Sequence, residues 1–199
     1  MGKSHPSVDP YVVSRVRAIE SLLLERGVLP PDAVDRLVRR YESATGPLVG
    51  ARAAARAWVD PGYRRLLLEE PKAALAAFDL DFDRLVVVEN TAAVHNLVVC
   101  TLCSCYPWPV LGLPPTWYKL PAYRARAVAE PRQVLREFGL EVPSDREVRV
   151  WDSSAEVRYM VLPRRPAGSE GLSEAELVPL IPRDALIGVA EVRLPAPGR

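Results

Sequence analysis

The sequence is short of histidine, with two, and of cysteine, with three, among 199 residues. It has almost no net charge, with 26 Lys and Arg against 25 Asp and Glu. Each shortage excludes a class. Without a basic excess there is nothing to grip a phosphate backbone, so a general nucleic-acid binder is excluded. No apolar run reaches the roughly 18 residues that a membrane span needs. The opening MGKSHPSVDP has no apolar segment of the secretory type. The expectation is a cytoplasmic protein that acts on neither nucleic acid nor membrane. A glycine-rich phosphate cradle and a catalytic triad are also missing. The cysteines (Cys100, Cys103 and Cys105) sit too close together to close long loops, and their odd number would strand one thiol. A disulfide framework is thus excluded, and metal or redox chemistry is favoured.

The composition is that of a globular chain, 49% hydrophobic and 26% charged. The length suits one domain, or one domain with an arm. The 20 prolines are about twice the usual share and lie mainly in the second half. Val12, Val16, Ile19 and Leu23 recur at helical spacing, with Asp9 as N-cap, Pro10 at the first helical position, and Gly27 and Pro30-Pro31 as stops. This helix either covers its own domain, the favoured reading, or lies as an arm across a partner. A second helix is expected from Asp32, with Val34, Leu37, Val38 and Tyr41 inward and a break at Gly46-Pro47. Helices follow over residues 48–58, from the Asp60-Pro61 cap to Leu68, and over 72–78. Residues 85–88 and 97–99 read as buried strands separated by a turn at 89–91. Residues 106–116, with four prolines, form an ordered loop. Residues 117–138 return to helix in two pieces, broken around Pro121 and Pro131. Residues 148–151 and 157–162 are strands, with Asp152-Ser153-Ser154 between them as a hairpin-like turn. Ser173 and Glu176 form a capping box, and the tail from Leu194 is expected to fray. The class is α+β, with residues 1–80 a mainly helical region and arm and residues 81–199 a domain carrying the cysteine loop.

The loop reads Cys100-Thr101-Leu102-Cys103-Ser104-Cys105. Cys100 and Cys103 have the spacing at which two thiolates meet one ion. A closed zinc site needs a fourth ligand, and no fourth cysteine exists. His95 could serve, but a lone histidine in a strand is expected to be a hydrogen-bonded core residue. Cys103 and Cys105 together force the amide nitrogens of Ser104 and Cys105 close to the same ion. A small trivalent ion is acidic enough to take both as ligands. Three sulfurs and two nitrogens leave one octahedral position open, which is a catalytic arrangement. Metal-bound thiolates are also candidates for oxygenation. A non-catalytic metal or redox module is the bland alternative, though such a sensor needs exposed thiols and the flanks here are proline-ordered and apolar.

Residues 98–115, VVCTLCSCYPWPVLGLPP, resemble the metal-binding signature of nitrile hydratase α subunits. The resemblance extends upstream to WVDP at 58–61 and VENT at 88–91. Downstream it takes in WYK at 117–119, WDSS at 151–154 and LPRRPAG at 162–168. It implies a layered α-β-β-α domain that hydrates a nitrile to an amide at a non-corrin Co(III), with Fe(III) the alternative. Thr101 and Tyr106 mark the cobalt type. Cys100, Cys103, Ser104 and Cys105 would be the metal ligands, Cys103 as sulfinic acid and Cys105 as sulfenic acid. Cys105, with Ser104, would be catalytic. The sulfenate oxygen and a hydroxide on the metal stay open as nucleophile. A β subunit of one or two chains would complete the site with arginines on the oxidised sulfurs, and a metal-insertion activator would load it. Thiocyanate hydrolase carries a similar CTLCSC subunit and is the alternative activity. Trp108 is placed in the substrate pocket, against Trp117 and Tyr118 as packing. Arg124 and Arg126 are expected in surface or interface ion pairs, Asp152 as a turn cap, and Glu89 as a surface carboxylate.

Overall fold

The computed structural model describes residues 10–36 and 47–195. Asp9, Leu37, Val38, Tyr41, Gly46, His5 and the last four residues therefore lie outside the described residues. The chain divides into two compact units, residues 1–40 and 41–199.

In the first unit, α1 (Pro10–Glu25) opens on the proline whose fixed φ suits a first helical turn. It ends in a Schellman motif. Gly27, at φ +65°, donates to the Leu24 carbonyl, and Val28 donates to that of Leu23. No residue of α1 is buried. Val16 is 57% exposed and Ile19 54%, so most of the apolar stripe is uncovered, with Leu23 half-buried. That departs from the favoured sequence reading of a helix that covers its own domain. A further helical turn after Asp32 carries an Asp32–Arg36 ion pair.

In the second unit, prolines open most helices: α2 (Pro47–Val59), α3 (Pro61–Glu69) and α4 (Pro71–Ala76). Asp60 caps α3, accepting from the Tyr63 amide at 2.9 Å, as its spacing predicts. Ala51, Ala53, Ala54, Ala55 and Ala57 of α2 are all buried. Their small size lets neighbours approach closely, and a Cβ on Gly50 would stand 2.7 Å from Leu111 Cδ2. Strands β1 (Leu85–Glu89) and β2 (Val94–Val99) follow, then the cysteine loop and α5 (Trp108–Leu111). A 3₁₀ turn at Thr116–Lys119 leads to α6 (Pro121–Ala129) and α7 (Pro131–Glu137). The chain closes with β3 (Glu147–Asp152), β4 (Arg158–Leu162), α8 (Glu174–Leu177), capped by the Ser173–Glu176 box, and α9 (Arg183–Ile187).

The strands pair across the sequence. β1 lies parallel to β4, from Leu85 beside Arg158 to Glu89 beside Leu162. β2 lies parallel to β3, from Val94 beside Glu147 to Val99 beside Asp152. The expected hairpin at residues 152–154 is therefore absent. Those residues carry the chain from one sheet to the other, with the Ser153 amide donating to the Val99 carbonyl at 2.7 Å. Parallel partners require a long crossover, and between β2 and β3 that crossover is the cysteine loop with α5, α6 and α7. Helices α3 and α4 pack on β1, the two sheets meet through β2 and β4, and α6 and α7 cover β2 and β3. The layering is thus α-β-β-α. Covered on both faces, β2 is buried continuously from His95 to Val99. Each of its fully buried valines and leucines is worth about 1.5–3 kcal/mol.

His95 is a core residue, as expected. Its Nε2 donates to the Gly188 carbonyl at 2.7 Å, and Asn90 Nδ2 stands 3.4 Å from Nδ1. Gly188 ends α9 at φ +93°, where a Cβ would fall 2.0 Å from the Asn96 carbonyl oxygen. Only glycine allows α9 to lie this close to β2.

Candidate metal centre

Strand β2 runs directly into Cys100, so the first sulfur is anchored in the core while the other two swing outward. Cys100 is buried, Cys105 half-buried and Cys103 exposed. The sulfurs of Cys100 and Cys103 are 3.3 Å apart, those of Cys103 and Cys105 3.0 Å, and all three lie within 4.8 Å of one another. None is in a disulfide. Among the described residues, this is the one group of three or more His, Cys, Asp or Glu side chains that converges in this way, and His95 is not part of it.

The bend is held from three sides. Asp152, at the end of β3, accepts from the Thr101 amide at 2.9 Å and from its hydroxyl at 2.5 Å. The β2–β3 register places that carboxylate there, since Asp152 stands beside Val99. From α6, Arg124 donates through Nε to the Cys100 carbonyl at 3.1 Å and through Nη2 to that of Thr101 at 2.6 Å. Tyr118 donates to the Cys105 carbonyl at 3.0 Å, and Tyr123 to that of Val98 at 2.7 Å. Burial holds the Tyr106, Tyr118 and Tyr123 hydroxyls well above the usual range, so the two that grip this backbone stay protonated as donors. Tyr106 packs edge-on against Tyr118, with ring centroids 5.1 Å apart.

The sulfurs share charge unequally. The Cys103 thiol is pulled down to about 7, first by the Cys105 thiol and then by that of Cys100. The backbone N–H groups of Ser104 and Cys105 lower it further, and the Cys103 amide donates to the Cys100 sulfur at 3.3 Å. Cys105 is pushed up to about 12, first by burial and then by its bond to Cys103. Cys103 therefore gives up its proton more readily than Cys105. Three soft, converging sulfurs are a donor set that fits a thiophilic transition ion.

The remaining sequence expectations divide. Arg126 ion-pairs with Glu137 at 2.6 Å and Glu130 at 3.5 Å, as expected. Among the described residues Arg124 forms no ion pair; it grips main-chain carbonyls. Asp152 does not cap a turn; it holds Thr101. Glu89 accepts a two-pronged contact from Arg64. Tyr118 is buried, and Trp117 packs edge-on against Tyr123 and Phe138 at 4.8 and 4.7 Å. Trp108, at the start of α5, is 41% exposed, and the Ser104 side chain is half-buried. Sequence reasoning missed the loop-holding roles of Arg124, Asp152, Tyr118 and Tyr123. The parallel register of β2 and β3 would have exposed that of Asp152. A cavity of about 710 Å³ between α4 and β1, lined by Lys72, Asp79, Asp81 and Asp83, involves no cysteine.

The sequence profile described as nitrile hydratase, alpha chain, matches residues 11–190. The chain is 51% identical over 194 residues to the low-molecular weight cobalt-containing nitrile hydratase subunit alpha of Rhodococcus rhodochrous, covering 96% of this chain and 94% of that one. It is 41% identical to the thiocyanate hydrolase subunit gamma of Thiobacillus thioparus, covering 91% of this chain and 79% of that one. Among solved structures, a double histidine mutant of the Fe-type nitrile hydratase from Comamonas testosteroni Ni1 superposes with a TM-score of 0.88 at 40% identity, covering 96% of this chain and 98% of that one. A fold of interleaved parallel strands, a loop that gathers three sulfurs, and a match running almost end to end converge on one conclusion: this chain belongs to the nitrile hydratase α-chain family.

Proposed function

We propose that this chain is the α subunit of a cobalt-dependent, cytoplasmic nitrile hydratase, which adds water to a nitrile to give the amide. The observation that carries the reading is the convergence of three free thiols within 4.8 Å on a loop fixed by Asp152, Arg124 and Tyr118. The sulfurs of Cys100, Cys103 and Cys105 and the backbone nitrogens of Ser104 and Cys105 hold the ion. Thr101 and Tyr106, together with the cobalt named for the Rhodococcus relative, favour cobalt over iron. When bound, the trivalent ion supplies Lewis acidity that polarises the C≡N bond.

The rest falls to the protein. Cys103 carries a sulfinate and Cys105 a sulfenate, whose oxygen either takes a proton from the water that attacks the nitrile carbon and passes it to the nitrogen, or itself bonds that carbon and is displaced by a water that leaves its oxygen on the carbon and both protons on the nitrogen, restoring the sulfenate. Arg124 and Asp152 keep the loop from turning as that oxygen acts. Trp108, exposed beside the loop, forms an apolar wall for the substrate. The oxidised sulfurs are negative and need donors, which a β subunit of one or two chains provides as arginines. Leu102 is 87% exposed and Leu113 54%, which suits a loop face that the partner covers. The α1 stripe suits an arm laid across the same partner. A metal-insertion activator loads the site before assembly.

Co-expression with the β subunit in cobalt-supplemented medium tests the proposal. Metal analysis is expected to give one cobalt per chain, intact mass the added oxygens, and assays an amide from a nitrile. Cys103→Ala is expected to lose cobalt and activity together. Tetrahedral zinc in the loop, or full activity without metal, would overturn the reading. Thiocyanate hydrolysis is the second reading, supported by the 41% identical gamma subunit. Turnover of thiocyanate but not of nitriles would select it.

A further inference from the structure

Away from the cysteine loop, Arg146 carries a charge that the described residues satisfy only in part. It stands just before β3 with its side chain 5% exposed. Its Nη1 donates to Glu191 at 2.7 Å. Its Nε and Nη2 are buried and meet no hydrogen-bond partner. A buried polar group left without a partner costs about 1–3 kcal/mol, and more when charged. These two nitrogens form one edge of the guanidinium. Arg64 turns the same edge to both carboxylate oxygens of Glu89, and Arg149 turns it to both oxygens of Glu147. In Arg146 that fork meets no oxyanion.

The side chain lines a cavity of about 370 Å³. Arg164, Arg165 and Arg193 line it too, against one carboxylate, that of Glu191. Arg165 is committed to the carbonyls of Trp58 and Ser169. Arg164 and Arg193 are exposed and make no hydrogen bond or ion pair among the described residues. The cavity therefore combines a buried two-pronged donor with two uncommitted cations at its surface.

We propose that this cavity is an oxyanion site, in which the Nε–Nη2 edge of Arg146 grips a phosphate or carboxylate that Arg164 and Arg193 draw in. Charge-assisted, two-pronged contacts of this kind are among the strongest hydrogen bonds available. Four guanidinium groups against one carboxylate leave the cavity positively charged, which favours an anion. No residue of the cavity belongs to the cysteine loop, so the site does not depend on the hydration chemistry. The oxyanion comes either free from solution or as an acidic side chain of the partner subunit.

Titration of the full chain with inorganic phosphate at constant ionic strength, read by calorimetry and by Tm, tests the site. Saturable binding and a rise in Tm are expected with phosphate and not with chloride. The double variant Arg164→Gln, Arg193→Gln changes exposed positions only. It is expected to melt like the parent in chloride and to bind phosphate about tenfold more weakly. Arg146→Lys keeps the charge and loses the fork, and a weakening of about tenfold is expected. Should it fail to fold, the exposed double variant decides alone. In the assembled complex, continued phosphate binding identifies a free oxyanion. Exclusion of phosphate, with assembly of the double variant weakened about tenfold, identifies a carboxylate of the partner. Absence of saturable binding to the full chain, equal binding by the double variant, or exclusion of phosphate with no effect of that variant on assembly would each overturn the proposal.

Discussion

At the scale of single residues, Asp152 is the side chain on which the sulfur loop turns. One carboxylate takes both the amide and the hydroxyl of Thr101, across 51 positions of sequence. Asp152 is exposed, so Asp152→Ala leaves Thr101 able to find water, and the expected loss of global stability is only about 0.5–1.5 kcal/mol in a urea melt. The effect on metal retention is expected to be larger, with cobalt per chain falling to well under half, because Thr101 follows the first sulfur directly. Thr101→Ser keeps both donors and is expected to retain cobalt. Full loading of Asp152→Ala would show that the loop holds its shape without this contact. The three cysteines were legible because the chemistry resides in their spacing. Asp152 and Arg124 were not, because what they hold depends on a strand register and on the reach of a helix from 24 positions away. A carboxylate in a WDSS segment reads locally as a turn cap, and nothing local corrects that.

At the scale of elements, proline made the helices readable. A residue that fixes φ and lacks an amide hydrogen suits a first helical turn, and α1 to α4, α6 and α7 all open on one. The strands were readable from their β-branched runs, but their pairing was not. Two strands separated by a short polar link suggest a hairpin, whereas β3 and β4 belong to different sheets. The joint between β2 and α9 gives a prediction at this scale. His95 bridges them, donating to Gly188. Burial is the main cause that lowers its pKa from the ordinary 6.5, the Gly188 bond opposes it, and of the facing charges Arg146 and Arg132 lower it while Glu191 raises it. The folded state therefore holds the neutral ring. Its contribution to stability is complete above the unfolded value of 6.5 and is lost as pH falls below it toward the folded value. Urea unfolding at about pH 7.5 and about pH 5.5 is expected to show this loss, and His95→Gln is expected to flatten the slope. An unchanged slope in the variant would assign the acid sensitivity elsewhere.

At the scale of the whole molecule, α1 stands out because its sequence pattern promises a buried face and its own unit leaves most of that face in water. A helix built this way gains its stability from whatever it meets. Val16→Asp with Ile19→Glu is expected to leave the melting of the free chain within about 0.5 kcal/mol of the parent, as exposed substitutions do. Association with the β subunit is expected to weaken about tenfold or more, measured by sedimentation or calorimetry. Equal affinity would remove α1 from the interface. The crossed strand order has a different kind of consequence. β2, which delivers the first sulfur, has no pairing partner until β3 exists, and β1 has none until β4 exists. During synthesis the thiol-bearing bend therefore leaves the ribosome before the strand that shapes it, and it waits unformed until that strand, which ends at Asp152 of 199 residues, has been made. Long-range pairing of this sort is intrinsically slow. An ion offered to the nascent chain meets scattered thiols, and one offered to the finished fold meets a preset cradle, so loading of this site belongs after translation.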